Sequence, residues 1–444
     1  VVNHHLFFAD VMLRDEGMAE LLPACNTVIF DEAHQLPEVA TLFFGDSTST
    51  AQVLDLARDA RTEGLTNDRD CLDLQTASKQ LEKVAKDTRL AVGIDAGRFS
   101  YGQLTEKPEF LPAVKLLQDE IASFAAILET QAERAEGLEK CWQRALELVE
   151  RLAQWQKTGV NGYVRWAEAF THSLQLNSTP LDVAEIFKKQ MGGHPRAWIF
   201  TSATLAVQGK FHHYCSELGL GEPESACWHS PFDYDKQAML YAPLGMPEPN
   251  SFGYTDAVVE AAFPAVLAAG GGAFFLCTSL RAMRRTHELL KARLEDEGHD
   301  LPLLMQGEGS KNELLERFRR LGNAVLVGSQ SFWEGVDVRG EALSLVVIDK
   351  IPFAPPDEPV LSARIEQMRQ QGRNPFMEYQ LPRAVINVKQ GAGRLIRDET
   401  DRGVLMICDP RLLSKPYGRR VWQSLPPMKR TKELSDVINF FASR

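Results

Sequence analysis

The sequence lacks the features that mark membrane proteins, zinc proteins and proteins that coat nucleic acids. No apolar run approaches the roughly 20 residues that a membrane span requires, and the first residues contain no charged region of a signal peptide. The seven cysteines include no CxxC pair, which argues against a zinc site or an iron–sulfur cluster in these residues and suits reduced cytoplasmic thiols. The net charge of −11 means that contact with nucleic acid would need local basic surfaces.

A phosphate loop of the form G-x-x-x-x-G-K-[ST] is also missing from these residues. Residues 307–311 (GEGSK) have the wrong spacing, and the glycines at 270–272 precede an apolar run instead of following one. The hydrophobic content of 44% and the charged content of 25% are ordinary for a globular protein. A length of 444 residues suggests two to four domains.

The sequence does contain a short apolar run that ends in two carboxylates. Residues 28–30 predict one buried strand, and Asp31, Glu32 and His34 follow it. Open α/β sheets bind ligands at the carboxyl ends of their strands. Adjacent acids suit phosphoryl transfer, in which one holds Mg²⁺ and the next orients or deprotonates the attacking water. An acidic helix cap after a strand explains the same residues.

Two α/β segments are predicted on either side of a helical one. From about 47 to 190, apolar residues recur every three or four positions, which predicts an all-helical insertion. Its clearest core-facing seam lies on one long helix or on two helices broken near Gly137. The seam residues are Ile121, Phe124, Leu128, Ala135, Leu138, Trp142, Ala145, Val149 and Leu152.

Strand-like runs that alternate with helices return from 197 onward and predict mostly parallel, helix-covered sheets. A passage rich in proline and glycine at 243–253 reads as a linker. The predicted first domain therefore contains 1–46 and 191–244, interrupted by the insertion at 47–190. The predicted second domain is 245–444.

Two later polar runs follow predicted strands. Residues 201–205 (TSATL) follow the strand at 197–200 and contain Ser202 and Thr204, for which a plain helix cap is the alternative. Residues 328–337 (GSQSFWEGVD) follow the strand at 324–327 and contain Glu334 and Asp337.

A basic run occupies 390–397 (QGAGRLIR). On a helix, Gln390, Arg394 and Arg397 would share one face. Two guanidinium groups on one face suit the charge of a transferring γ-phosphoryl group. A surface salt-bridge pair is the alternative.

Taken in order, DEAH at 31–34, TSAT at 201–204, G-x-x-x-x-W-E-G-V-D at 328–337 and Q-x-x-G-R-x-x-R at 390–397 resemble motifs II, III, V and VI of superfamily 2 helicases. The insertion between the first two motifs and the SPF run at 230–232 are similar to the iron–sulfur helicases of the XPD/DinG group. The residues around 3–6, 31–37 and 331–337 look like those of DinG-like members. The resemblance covers essentially the whole chain. It implies two RecA-like motor domains, with an arch-like insertion in the first.

The resemblance implies an ATP-dependent DNA helicase and assigns roles to the acidic and hydroxyl residues. Asp31 would hold Mg²⁺ through water, and Glu32 would activate the attacking water. His34, Ser202 and Thr204 would link the nucleotide site to the surface that tracks the DNA strand.

Basic and acidic residues of the second domain also receive roles from the resemblance. Gln390, Arg394 and Arg397 would reach the γ-phosphate, and Glu334 and Asp337 would sense nucleotide or DNA. Two such domains that face one ATP would close when it binds and open after hydrolysis, which moves the motor along a single strand.

The implied cofactors are ATP, Mg²⁺ and a [4Fe–4S] cluster. In the family, the phosphate loop and the four cluster cysteines precede the NHH run that starts at Asn3 here. The chain is therefore expected to be the carboxy-terminal part of such a helicase and to be inactive alone. The implied partner is single-stranded DNA, or forked or tailed duplex DNA, bound by a monomer in the bacterial cytoplasm at the nucleoid. Travel from 5′ to 3′ and a role in DNA repair or replication stress are implied too.

Contacts with DNA are predicted from cations and aromatic rings, because single-strand binding uses positive grooves and stacking. Tyr417 and Trp422 are predicted to pack inside the protein rather than to stack on bases. The candidate contact residues are Phe332, Trp333, Arg411, Lys415, Arg419 and Arg420.

Two other functions and one other site fit parts of the sequence. A DEAH-type RNA helicase shares the motifs, although the long insertion argues against it. A non-hydrolysing module that binds nucleic acid or a protein partner would fit the missing phosphate loop. Asn3, His4 and His5 could bind a metal, but adjacent histidines point in different directions, so capping or packing is the preferred interpretation.

Overall fold

The structure is a computed structural model that describes residues 1–15, 21–67, 72–157, 162–193, 196–329, 332 and 342–443. The chain divides into two compact units. The first unit contains Val1–Ser202, Cys215–Glu222 and Pro355–Arg373, and the second contains Ala203–Tyr214, Pro223–Ala354 and Asn374–Arg444.

The strands and helices alternate along much of the chain. The strands are β1 (Thr27–Phe30), β2 (Asp46–Ser49), β3 (Gly97–Ser100), β4 (Tyr163–Ala169), β5 (Leu174–Pro180), β6 (Ala197–Phe200), β7 (Ala238–Tyr241), β8 (Ala273–Cys277), β9 (Leu303–Met305), β10 (Val325–Ser329), β11 (Leu345–Ile348), β12 (Gly403–Ile407) and β13 (Lys429–Thr431). The helices are α1 (His4–Asp15), α2 (Leu36–Phe43), α3 (Thr50–Asn67), α4 (Leu72–Leu90), α5 (Tyr101–Thr105), α6 (Phe110–Glu129), α7 (Glu136–Gln156), α8 (Ala184–Gly193), α9 (His212–Leu218), α10 (Tyr234–Gln237), α11 (Tyr254–Ala269), α12 (Leu280–Asp296), α13 (Lys311–Leu321), α14 (Pro359–Gln370), α15 (Leu381–Ala392), α16 (Arg411–Ser414), α17 (Gly418–Ser424) and α18 (Leu434–Ala442). None of these helices combines the length and the apolar character needed to cross a membrane.

A seven-stranded parallel sheet forms the centre of the second unit, in the order β13-β7-β12-β11-β8-β10-β9. Strands β8, β10, β11 and β12 are buried along their whole length, because helices cover both faces. One core packs against α13, α15 and α17, and the other against α11, α12 and α18. The predicted fold class, α/β with parallel sheets, is confirmed.

The strand that carries the two acids is less buried than its sequence predicts. In the first unit β1 pairs in parallel with β6, and Phe30 lies opposite Phe200. Phe30 is buried, whereas Ile29 is 65% exposed. Successive residues of a strand face opposite sides, and aromatic rings pack around Phe30 on one side. The prediction of a wholly buried strand is therefore wrong.

The insertion contains a sheet, so its prediction as all-helical is wrong. Strands β2, β5, β4 and β3 form a four-stranded antiparallel sheet in that order. Its apolar residues alternate only briefly, at Ala167 and Ala169 and at Leu174 and Leu176, and these pack onto the core of the insertion. So short a period-two pattern is masked by the three-four spacing of the long helices beside it.

The predicted seam in the insertion is confirmed. Eight of its residues lie on two helices, α6 and α7. The ninth, Ala135, lies in the break at residues 130–135, just before Gly137. All nine seam residues are in the insertion core or packed against it.

Two segments that the sequence assigned to the first domain belong to the second unit. Strand β7 lies between β12 and β13, although it precedes the presumed linker, and Ala203–Tyr214 also joins this unit. The reason is that β7 pairs with strands more than 150 residues later, which a linker-based boundary cannot detect.

The glycines at 270–272 form a tight passage from α11 into β8. Gly270 ends the helix in the left-handed conformation, with φ of 69°. Gly271 has φ of 85°, and a Cβ there would lie 1.9 Å from the carbonyl oxygen of Asn323. Only glycine fits such a position, so these residues serve packing rather than phosphate binding.

Candidate active site

The two carboxylates lie in a turn directly after β1, and the end of β6 supports them. The Thr201 hydroxyl donates to Oδ1 of Asp31 at 3.2 Å. The amide of Ala33 donates to the Thr201 carbonyl at 2.9 Å. Because β1 and β6 are parallel and in register, their carboxyl ends lie together. The Asp31 side chain is thereby held at the surface, where a solvated cation can reach it.

Glu32 has an uncommon backbone conformation and is held by two side chains. Its φ of 48° and ψ of 42° are left-handed, which few residues other than glycine, asparagine and aspartate adopt. Ser202 Oγ donates to Glu32 Oε2 at 3.3 Å and lies 2.9 Å from His34 Nδ1. His34 Nδ1 is also 3.3 Å from Glu32 Oε2. The predicted residues Glu32, His34 and Ser202 therefore form one constellation.

Thr201 is the residue at this site that sequence reasoning did not assign. Its hydroxyl and its carbonyl both contact the turn with the acids. The pairing of β1 with β6 would have identified it, since Phe30 lies opposite Phe200 and the residues that follow them lie side by side. That register follows from the folded sheet and not from either motif.

The NHH run at the start of the chain caps and packs, as predicted. Asn3 Oδ1 accepts from the amide of Leu6 at 2.7 Å at the start of α1. The ring of His4 lies 6.0 Å from that of Phe30, and the ring of His5 lies 5.7 Å from that of Phe43. Burial lowers the pKa of His4, which favours a neutral packing residue.

The basic run at 390–397 does not form one helical face, so that prediction is wrong. Helix α15 contains Gln390 but ends at Ala392. Arg394 lies in the turn that follows, and Arg397 lies in an irregular segment after that turn. The flanking glycines at 391 and 393 have low helix propensity. Beyond them, Asp401 Oδ2 accepts from the amides of Arg397 and Asp398 at 2.7 and 2.8 Å, which fixes a non-helical loop.

The predicted residues of motifs III and V are partly buried in the second unit and partly outside the described residues. Thr204 is buried and belongs to the second unit. Trp333, Glu334 and Asp337 lie outside the described residues. Phe332 is 5% exposed and packs in a core of the second unit. A buried ring cannot stack on a base, so its prediction as a DNA contact is wrong.

The candidate DNA contacts near the C-terminus separate into one fixed residue and three exposed ones. Arg411 binds the buried carboxylate of Asp409, with Nε to Oδ1 at 2.9 Å and Nη2 to Oδ2 at 2.6 Å. This two-point ion pair occupies the guanidinium. The prediction of Arg411 as a DNA contact is therefore corrected: its side chain has a structural role. Lys415, Arg419 and Arg420 are exposed. The prediction that Tyr417 and Trp422 pack inside is confirmed, since both contact a core of the second unit.

A second acid lies buried at the carboxyl edge of the seven-stranded sheet. Asp349 follows β11 and accepts from the amide of Lys350 at 2.7 Å. It also accepts from the amide and the hydroxyl of Thr278, each at 3.1 Å. Burial raises the pKa of Asp349 to about 6 in spite of these donors, because a charged carboxylate is poorly solvated there.

This raised pKa predicts a pH-dependent stability that Asp349→Asn removes. The folded state binds the proton more tightly than the unfolded chain, whose pKa is about 3.8. Wild-type stability from this group is therefore lost as the pH rises from about 4 to 6, by about 3 kcal/mol at 1.36 kcal/mol per pKa unit. Urea unfolding of both proteins at several pH values measures the difference between them. A difference that stays constant from pH 4 to 7 would contradict the prediction.

The described residues can be tested for the cofactors that the resemblance implies. Mg²⁺ keeps several waters and needs only one or two carboxylates, and the exposed Asp31 at a strand end fits that need. Within the described residues, no group of three or more His, Cys, Asp or Glu side chains is arranged so that it could hold a metal ion by itself. A [4Fe–4S] cluster needs four cysteines, so these residues do not fit it.

Comparison with known proteins shows the family. The model of the family described as "Helicase C-terminal domain" matches residues 264–428. The ATP-dependent DNA helicase YoaA of Escherichia coli (strain K12) is 43% identical over 442 residues, which are 100% of this chain and 69% of that protein. The chain belongs to the DinG-like family of DNA helicases.

Further members and neighbours support the DinG-like assignment. The ATP-dependent helicase DinG of Mycobacterium tuberculosis (strain ATCC 25618 / H37Rv) is 37% identical over 269 residues, which are 59% of this chain and 39% of that protein. The solved structure of S. tokodaii Xpd4 has a TM-score of 0.60 and 13% identity, and covers 97% of this chain and 81% of that one. At this identity it shows the fold alone, in agreement with RecA-like domains in a DinG-like helicase of the XPD group.

Proposed function

We propose that this chain is the motor of an ATP-dependent DNA helicase that hydrolyses ATP when single-stranded DNA is bound. One observation carries the proposal: Glu32 follows a parallel strand, beside Asp31, and contacts Ser202 and His34. Two adjacent carboxylates at such a strand end provide a metal ligand and a base for water. The names of the relatives, an ATP-dependent DNA helicase and an ATP-dependent helicase, support the same reaction.

Each residue near this site receives a role in the proposal. Asp31 holds Mg²⁺ through water, and Glu32 orients and deprotonates the attacking water. The Ser202 hydroxyl and the His34 ring keep the Glu32 carboxylate in one position, at 3.3 Å from each. Thr201 does the same for Asp31.

The second unit supplies groups for the phosphate and the strand. Gln390, Arg394 and Arg397 act on the γ-phosphate of the same ATP, where positive charge stabilises the transition state. Thr204 transmits the reaction to the strand-tracking surface, and Glu334 and Asp337 sense nucleotide or DNA. The exposed cations Lys415, Arg419 and Arg420 contact the DNA backbone.

The finer features of the function follow the resemblance to DinG-like helicases. We propose 5′-to-3′ travel along single-stranded DNA and a role in DNA repair or replication stress, in the bacterial cytoplasm at the nucleoid. The substrate is forked or tailed duplex DNA, bound by a monomer. We also propose that the chain has three functional parts: a first motor domain of 1–46 with 191–244, an insertion at 47–190, and a second motor domain at 245–444. Strand β7 and Ala203–Tyr214 belong with the second of these motor domains.

The ATPase rate of the complete protein with different strands tests the proposal. We expect single-stranded DNA to raise turnover about tenfold more than RNA of the same sequence, a difference of about 1.4 kcal/mol. Unwinding of a duplex with a 5′ tail, but not of one with a 3′ tail, is expected as well. Equal stimulation by RNA would favour a DEAH-type RNA helicase. Strand binding without any hydrolysis would favour a binding module.

A further inference from the structure

The segment directly after Ser202 connects the candidate active site to the second unit by chain continuity. Ser202 contacts Glu32 and His34 in the first unit. The next residue, Ala203, already belongs to the second unit, as do the residues up to Tyr214. Contacts that fix the segment from Ala203 onward therefore act on the chain one peptide bond after Ser202, which contacts Glu32 and His34.

The segment 203–210 ends in a tight two-residue turn that joins Val207 to Lys210, and we call the whole segment the 203–210 hairpin. Val207 and Lys210 exchange backbone hydrogen bonds of 3.0 and 3.1 Å. Gln208 and Gly209 between them have φ of 53° and 72°, as in a type I′ turn. Leu205 is buried, and Val207 packs against a core of the second unit. The segment is thus a folded element with a defined shape.

Two side chains tie the 203–210 hairpin to helices of the second unit. The Lys389 ammonium, on α15, donates to the carbonyl of Ala206 at 3.0 Å. The Gln208 amide donates to Oε1 of Gln423, on α17, at 3.2 Å. The first tie is half-buried, whereas Gln208 is exposed.

Lys389 is a costly residue for packing alone. It is half-buried, and burial lowers its pKa. No carboxylate pairs with it in the part of the chain that the structure describes; its hydrogen-bond partner there is the Ala206 carbonyl. A desolvated ammonium is expensive unless paired, and an apolar side chain of similar length would fill the space without that cost. The bond to the Ala206 carbonyl offsets part of this cost.

Lys389 is adjacent on α15 to a residue that we assign to the nucleotide. Gln390, which we assign to the γ-phosphate, is the next residue and points about 100° away around the helix. Helix α15 thus carries both Gln390, which we assign to the γ-phosphate, and Lys389, which bonds to the segment that follows Ser202. A displacement of α15 on hydrolysis would be passed to the hairpin through Lys389.

We propose that Lys389 is a positioning residue that couples ATP hydrolysis to strand separation by fixing the 203–210 hairpin to α15. The inference rests on the proposed helicase function, because it concerns how that reaction does mechanical work. It assigns Lys389 no contact with ATP or DNA.

The test compares Lys389→Met and Lys389→Arg with the wild type in the complete protein. Methionine keeps most of the length without a donor, and arginine keeps a charged donor. For Lys389→Met we expect turnover with single-stranded DNA and the KM for ATP to change at most about twofold, while base pairs separated per ATP fall about tenfold. Lys389→Arg should restore most of this yield. Lys291→Met, at an exposed lysine of α12, is the matched control and should change neither quantity.

A second variant protects the test against a folding defect. Gln208→Gly removes the bond to Gln423 and suits the positive φ at an exposed position, so we expect a smaller loss of yield at full turnover. Equal losses of turnover and unwinding in Lys389→Met, or an unchanged yield in both variants, would overturn the inference alone. Absence of DNA-stimulated hydrolysis in the wild type would overturn it together with the proposed function.

Discussion

Glu32→Gln is expected to lower the ATP turnover of the complete protein by about 10²- to 10⁴-fold, the usual contribution of a positioned base. The amide is as large as the carboxylate, and its oxygen can still accept from the Ser202 hydroxyl, which lies 3.3 Å from Glu32 Oε2 in the wild type. It cannot take a proton from water at neutral pH. The affinity for ATP should therefore persist while the chemical step fails.

Steady-state turnover, together with titration of a fluorescent ATP analogue, separates these two quantities. Glu38→Gln is the matched control, because Glu38 is an exposed glutamate in the first turn of α2, six residues away. It should leave both quantities unchanged. Wild-type turnover in Glu32→Gln would remove Glu32 from the chemistry.

Arg397→Ala is expected to lower turnover by about 10³- to 10⁵-fold, the range found when a transition-state arginine is removed. The substitution deletes positive charge where the γ-phosphoryl group would carry its negative charge. The loop itself should persist, because Asp401 accepts from the backbone amides of residues 397 and 398, which the substitution leaves in place. The loss should therefore come from the chemical step.

Single-turnover hydrolysis measures this step directly. Arg397→Lys should recover little activity, since an ammonium lacks the planar fork of guanidinium. Arg320→Ala, at an exposed arginine at the end of α13, serves as the control. If Arg397→Ala retained the wild-type rate, Arg397 and Glu32 would not act on one nucleotide.

The parallel sheet could be predicted because its signal is local and strong. Each inner strand is a run of four or five apolar residues, since helices cover both faces. Each ends in a polar residue, as at Thr278, Asp349 and Asp409, because the chain leaves the core there. The grouping of Ser202 and His34 with Glu32 could also be predicted, since both motifs follow strands of one sheet; their roles stay a prediction.

The missed features depend on contacts that are distant in sequence or on small energy differences. Strand β7 was misplaced because its partners lie more than 150 residues later. The end of α15 was missed because glycine costs only about 1 kcal/mol in a helix, and the acceptor that stabilises the alternative, Asp401, follows the motif. The hairpin tie of Lys389 has no motif at all.

The backbone at Glu32 also bears on how this protein can be engineered. A left-handed glutamate costs about 1 kcal/mol or more relative to glycine. A library sorted only for heat resistance should therefore enrich glycine or asparagine at position 32, and each such winner would lack the carboxylate. In the proposed mechanism, thermostability and turnover compete at this one residue, so selection for the first must be paired with a screen for the second.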